Sequence, residues 1–393
     1  MWSEEVIVFN RFLFPAVLMG AFMVWTVVSA DDFKPFPAQL KGKKIAVFLD
    51  NDFQVDEAYY TPLRLKEAGA DIKIVSHYPS VIRDNFVVKT DITPREALKT
   101  SWDGIFIVGG FSPMEMREDP DVIRIIKDTF NRGALVAPIC HGVTVAVTAD
   151  ILKGKNVTGN VRRHQEFINA GAIWHDNAPQ IDGNLITAIG PADNGPMLDA
   201  IINWFNGGEA AAKAHIRDQY LKGRKVAVVI DQRFDYRQAK YPCDRLAQNG
   251  ANVTIVANTA GECKEYRGVG IIKADVSAKD ALTQKYDAVI LTGGWAADTY
   301  RGLPDVRAFI TNNLKNGALV ASINWGHTAL IDGNSAKGYS FAVTPGMAND
   351  IRNAGGIPVF QPVFRDRNLI TCAKDEDMPE FMRYVTGYLT TMK

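Results

Sequence analysis

Short apolar runs that end abruptly at small or polar residues recur along this chain, and stretches with helical spacing lie between them. Lys44-Ile-Ala-Val-Phe-Leu-Asp50 reads as a first buried strand. Asn51 to Glu57 reads as a loop, and Ala58 to Ala68 as a helix stopped by Gly69. Ala70 to Ser76 and Trp102 to Val108 are two more strands, the latter ending in Gly109-Gly110, and Pro120 to Asn131 is a helix. The run Ala134-Leu-Val-Ala-Pro-Ile139 stops at Cys140-His141-Gly142, and Val143 to Leu152 then carries helical spacing. Strands alternating with helices predict an α/β fold built on a mostly parallel, doubly wound sheet. In such a sheet the ligand site lies outside the carboxyl ends of the strands, where Glu57, Gly109, Gly110 and Cys140 all fall.

The break at Cys140 has the pattern of a nucleophile elbow, a sharp strand-to-helix turn that lifts one side chain above the sheet. The positive end of the following helix would face the sulfur. A buried core cysteine before an ordinary turn fits the same residues, so the elbow alone does not decide between them.

The whole pattern then begins again. Lys225-Val-Ala-Val-Val-Ile-Asp231 repeats the first strand, RLAQNGANVTIV repeats RLKEAGADIKIV, and YDAVILTGG repeats WDGIFIVGG. NGALVASINWGHTAL repeats RGALVAPICHGVTVA. Self-similarity over this length means tandem domains. Aligned without gaps, Glu57 faces Gln238. The second copy carries three more residues before its elbow, for which the loop GECKEYRGVG has room. Cys140 then faces Asn324, and His141 faces Trp325. Three titratable positions of the first copy are non-titrating in the second while the scaffold around them matches. A core cysteine has no reason to vary together with Glu57 and His141, so the repeat favours a functional Cys140.

Composition narrows the partners. With 44 basic and 44 acidic residues the formal net charge is zero, and nothing suggests a nucleic acid as partner. Gly109-Gly110 lacks the G-x-G-x-x-G spacing of a dinucleotide site, and no cofactor is expected. Phe12 to Ala30 is a continuous apolar run closed by Val-Ser-Ala, which predicts a signal peptide over residues 1–30, with an uncleaved anchor as the alternative. Either places the folded part in the periplasm or outside the cell. There, Cys243, Cys263 and Cys372 could form disulfides, in pairs that sequence does not assign. The four cysteines show no zinc spacing.

At these residues the chain resembles the ThiJ/PfpI superfamily, which has the class I glutamine-amidotransferase-like fold. The likeness rests on Ala-x-x-Cys-His-Gly at Ala137 to Gly142, the preceding Gly-Gly, and the acidic Glu57. It continues through LKGKNVTGN, INAGAIW, DGNLIT and GPAD. It implies two tandem flavodoxin-like domains, each a mostly parallel sheet with helices on both faces. They would span 44–206 and 224–393, with a linker over 31–43 and a connector over 207–223. The second domain is degenerate at every reactive position, because Asn324 cannot attack as a thiolate and Gln238 cannot exchange a proton. Cys140 would be the nucleophile, its thiolate favoured by the helix and by His141, with Glu57 sharing its proton and Gly109 and Gly110 bordering an oxyanion site. Asp193 more simply caps a helix. The resemblance further implies an intrachain pseudo-dimer, with a homo-oligomer as a further assembly. It leaves three functions open: chemistry on small reactive carbonyls of the glyoxalase III or deglycase kind, a PfpI-type peptidase, or a non-enzymatic redox sensor acting through Cys140.

Overall fold

The computed structural model describes residues 33–214 and 219–392. The proposed signal peptide lies outside the described residues. The first half forms one sheet from β1 (Lys44–Phe48), β2 (Asp71–Val75), β3 (Gly104–Ile107), β4 (Leu135–Pro138), β5 (Gln180–Asp182) and β6 (Leu185–Thr187), in the order β2-β1-β3-β4-β6-β5. The second half repeats it with β7 (Lys225–Val229), β8 (Asn252–Ala257), β9 (Val276–Ser277), β10 (Ala288–Leu291), β11 (Leu319–Ile323), β12 (Val363–Asp366) and β13 (Leu369–Cys372), in the order β9-β8-β7-β10-β11-β13-β12. All strand pairs in both sheets are parallel except β5 with β6 and β12 with β13. Nearly every residue of β1, β3, β4, β7, β10 and β11 is buried, as strands covered by helices on both faces require.

The helices that matter for the site are α1 (Val55–Glu67), α2 (Val143–Thr148), α3 (Asn194–Ala214), α4 (Tyr236–Gln248), α5 (Thr328–Asp332) and α6 (Met378–Thr391). Helix α1 starts three residues earlier than the apolar spacing predicts. Gln54 accepts a hydrogen bond from the Asp56 N–H, and Asp56 and Glu57 are the acidic first turn. Glu57 is therefore a helix residue, not a loop residue. Helix α2 starts at Val143 as predicted, after a tight turn over Cys140–Gly142, but ends at Thr148, where Ala149 caps it. The connector is not one helix: α3 breaks at Gly207 and Gly208, where Gly208 has φ +69°. The segment GECKEYRGVG is not all loop; Gly261–Lys264 is a strand paired antiparallel with Ile271–Ala274. Its turn is longer than the corresponding Asp84-Asn85 turn between Ser80–Arg83 and Phe86–Lys89, which is where the second copy's extra length sits. All four cysteines are free thiols, so the expected disulfides are absent.

The two halves meet through α1 and α4. Tyr59 bonds Asp244, Tyr60 bonds Gln248, and the Tyr236 hydroxyl donates to Asp56 at 3.0 Å. At the centre Arg245, fully buried, donates from Nε to Glu67 at 2.7 Å, while the Tyr241 hydroxyl donates to the same carboxylate at 2.5 Å. Tyr220 and Asn249 accept from the remaining guanidinium nitrogens. A buried charge pair holds only when its other hydrogen-bonding capacity is met in this way.

Candidate active site

Strand β4 continues to Ile139, whose N–H donates to the Ile107 carbonyl, and the chain then turns at Cys140 with φ +57°. A positive φ at a residue with a Cβ costs roughly 1–3 kcal/mol and persists only where surrounding bonds impose it. Here the Cys140 N–H donates to the Ala188 carbonyl at 2.9 Å, and its carbonyl accepts the Asn160 N–H at 3.1 Å. Asn324, the matching residue, also has a positive φ of 48°. Both elbows are thus built, and the second carries the side chain type that best tolerates this conformation.

The structure brings Glu57, Gly109, Gly110, Cys140 and His141 together. Glu57 is fully buried and accepts the Gly109 N–H through Oε2 at 2.7 Å. A Cβ on Gly109 would lie 2.7 Å from the Cys140 Cβ and 2.9 Å from Glu57 Oε2, so only glycine lets the three approach. Gly110, at φ +79°, passes so close to the Asp52 carbonyl that a Cβ would lie 2.4 Å from it. The Gly110 and His141 N–H groups point at the Cys140 sulfur and stabilise its charged form. The second half repeats the frame: Gln238 Oε1 accepts the Gly293 N–H at 2.6 Å, as Glu57 does with Gly109.

The electrostatics correct one expectation. Burial, followed by the nearby Glu57 charge, pushes the Cys140 thiol above its ordinary value, outweighing the backbone donors and the Asn160 amide. The helix and His141 therefore do not by themselves make a thiolate. His141 Nδ1 is 3.5 Å from the sulfur, but burial and then Arg163 and Arg162 lower its pKa, which leaves the imidazole neutral. Burial raises Glu57 to about 8, against the lowering effect of the Gly109 N–H. Its Oε1 is buried without a hydrogen-bond partner, a position suited to a protonated carboxyl.

Below about pH 8 Glu57 keeps its proton and no carboxylate is present to accept the one on sulfur. Above it the pair carries one negative charge, shared between carboxyl and thiol. Alkylation of Cys140 by iodoacetamide, followed on its peptide by mass spectrometry, will accordingly rise with pH through a midpoint near 8. In Glu57→Gln that step will be missing; its persistence would assign the titration elsewhere.

Two neighbours escaped sequence reasoning. Asn160 donates from Nδ2 to the sulfur at 3.5 Å; its place in the LKGKNVTGN motif was the available signal. Phe111 stacks on His141 with ring centroids 6.0 Å apart and is largely exposed; nothing in its local pattern marks it. Asp193 accepts the Gly190 N–H at 3.3 Å before α3, a capping role away from the sulfur. His164 and Trp174 pack on each other, and His175 bonds Asn156.

The DJ-1/PfpI family model matches residues 43–203 and again 224–386. The chain belongs to the DJ-1/PfpI family. Both matches lie in one polypeptide, so this member carries the family's domain twice. Among curated relatives, the protein named deglycase PfpI of Pyrococcus furiosus is 33% identical over 152 residues, which is 38% of this chain and 92% of that one. A deglycase of Pyrococcus horikoshii is 31% identical over 38% of this chain and 92% of its own length. Among solved structures, Drosophila melanogaster DJ-1beta aligns with a TM-score of 0.39 and 21% identity, over 44% of this chain and 94% of that one. A two-domain Anabaena variabilis protein with DJ-1/ThiJ/PfpI-like and ferritin-like domains aligns with a TM-score of 0.38 and 31% identity, over 42% and 50% of the two chains.

Proposed function

We propose that this DJ-1/PfpI protein is a cofactor-independent cysteine enzyme acting on small reactive carbonyls, with Cys140 as nucleophile and Glu57 as the proton carrier. The observation that carries the reading is the buried pairing of a raised carboxyl with the elbow cysteine, closed over by Gly109. Two curated relatives bearing the name deglycase agree with chemistry of this class.

For a 2-oxoaldehyde such as methylglyoxal the geometry supports the following proposed steps. In the singly charged state of the pair, the Glu57 carboxylate takes the thiol proton as the Cys140 sulfur adds to the aldehyde carbon, and it passes that proton to the carbonyl oxygen to give a hemithioacetal. Glu57, again a carboxylate, removes the hydrogen from that carbon, and the electron pair moves onto the neighbouring ketone as an enediolate. Donors fixed in advance, such as the Gly110 and His141 N–H groups, suit the negative oxygen. Return of the proton to the second carbon gives a lactoyl thioester, which water cleaves to lactate and free thiol. No oxidant or reductant is needed.

A peptidase would use the same cysteine with His141 as base. A Cys-His pair of that kind has its imidazole oriented by a third group. Among the described residues no hydrogen bond holds His141 Nε2, and the ring stacks on Phe111 instead. This favours Glu57 over His141 as the working base, and small carbonyls over peptides.

The test is lactate production from methylglyoxal by the purified chain. Cys140→Ala should abolish it, whereas Asn324→Ala should retain it within about twofold, as a surface-accessible change away from the chemistry. Full turnover in Cys140→Ala would overturn the reading. Absence of any turnover in the unsubstituted protein, with stoichiometric peroxide oxidation at Cys140, would move the assignment to a redox sensor.

A further inference from the structure

The second elbow has lost its reactive groups, yet a cavity of about 540 Å³ opens over it. That is within the size range of small-ligand sites, at the carboxyl ends of β7, β10 and β11 where this fold binds ligands. The substitutions around it form a consistent set. Where the first half has Phe111 and His141, the second has Trp295 and Trp325, exposed by 53% and 52%. Where the first half has Pro191, the second has Asp375, and this carboxylate organises the cavity floor.

Asp375 Oδ1 accepts from Gln238 Nε2 at 2.9 Å and from Asn324 Nδ2 at 3.1 Å. An ionised carboxylate only accepts, so both amides must turn their NH2 groups to it. Gln238 Oε1 is already used by the Gly293 N–H. Asp375 Oδ2 and Asn324 Oδ1 belong to residues that line the cavity and take no hydrogen bond from another described residue. The other charges at the cavity are answered: Asp235 by Arg267 at 3.2 Å, and Arg301 by Asp332 at 2.7 Å and Asp298 at 3.8 Å. Asp375 has no ion-pair partner among the described residues. One wall, Trp295, has Arg233 over its ring at 4.9 Å, so that ring already receives a cation; among the described residues none lies over Trp325.

The geometry points to a non-catalytic binding site in the second half for a small organic ammonium ion. Its N–H groups meet Asp375 and Asn324, and the charged end, with the carbon next to it, lies over the Trp325 indole. Charge-assisted hydrogen bonds to a carboxylate and the attraction of a cation for an indole face are the two contributions that select this ligand over a neutral one. The domain that cannot perform chemistry would then be a recognition module, carried beside the Cys140 half in one chain.

Isothermal titration calorimetry of the full chain with n-butylammonium chloride tests this, with butan-1-ol and glucose as neutral comparators. The expected result is saturable one-to-one binding of butylammonium, at least about tenfold tighter than either comparator. Trp325→Ala and Asp375→Asn should each weaken it about tenfold with unchanged thermal melting, since Trp325 is half exposed and an asparagine at 375 still accepts from both amides. Cys140→Ala should leave the affinity as it was, which separates this site from the carbonyl chemistry of the first half. Absence of saturable binding, equal affinity for butan-1-ol, or tighter binding of glucose overturns the assignment. These comparisons on the unsubstituted protein decide the matter even where a variant fails to fold.

Discussion

On the proposed carbonyl chemistry, Glu57→Gln is expected to lower kcat/KM for methylglyoxal about 10²–10⁴-fold while leaving the protein folded, the loss that follows removal of a positioned acid or base. The second half has already made this substitution. Gln238 sits at the matching helix position and accepts the Gly293 N–H at 2.6 Å, against 2.7 Å for Glu57 and Gly109. An amide therefore fits the frame, and what it lacks is the exchangeable proton. Melting that matches the parent protein, together with lost turnover, is the expected pair of results. Turnover within a few-fold of the parent would reduce Glu57 to an acidic residue in the first turn of α1.

The second large effect lies at the junction of the halves. Arg245→Leu leaves the buried Glu67 carboxylate with the Tyr241 hydroxyl as its remaining donor among the described residues. Breaking a buried pair from one side costs about 3–5 kcal/mol, because the surviving charge is neither solvated nor paired. The urea midpoint should fall accordingly. The double variant Glu67→Leu/Arg245→Leu should recover much of the loss, since two apolar side chains leave no unpaired charge. If the single and double variants were equally unstable, the damage would come from lost packing and not from the orphaned carboxylate.

The contrast between the copies explains why the site was legible at all. Cys140 and Asn324 stand on turns of the same hand, and Glu57 and Gln238 reach the same backbone donor, so the ungapped alignment of α1 and α4 was structurally sound. The register held because the apolar residues that bury each helix recur at matching positions. The start of α1 was misjudged because Gln54 and Asp56 look like loop residues, although a side-chain oxygen on an N–H makes that composition a helix start. Phe111 and Asn160 carry no titratable group, so their residue types do not mark them, and only the fold shows one on the His141 ring and the other on the sulfur.

Periodicity and repetition in the sequence alone determined the alternation of strands and helices, the doubling of the domain, and which elbow keeps its reactive groups. These follow from local spacing and from comparison of one half with the other. Tertiary structure decided the protonation of the site and the content of the second pocket. Burial raises the pKa of Glu57 and, by burying the sulfur itself, that of Cys140, and burial depends on the whole fold. The Gln238–Asp375–Asn324 floor joins residues from three separate segments, which only the closed sheet brings within hydrogen-bonding distance.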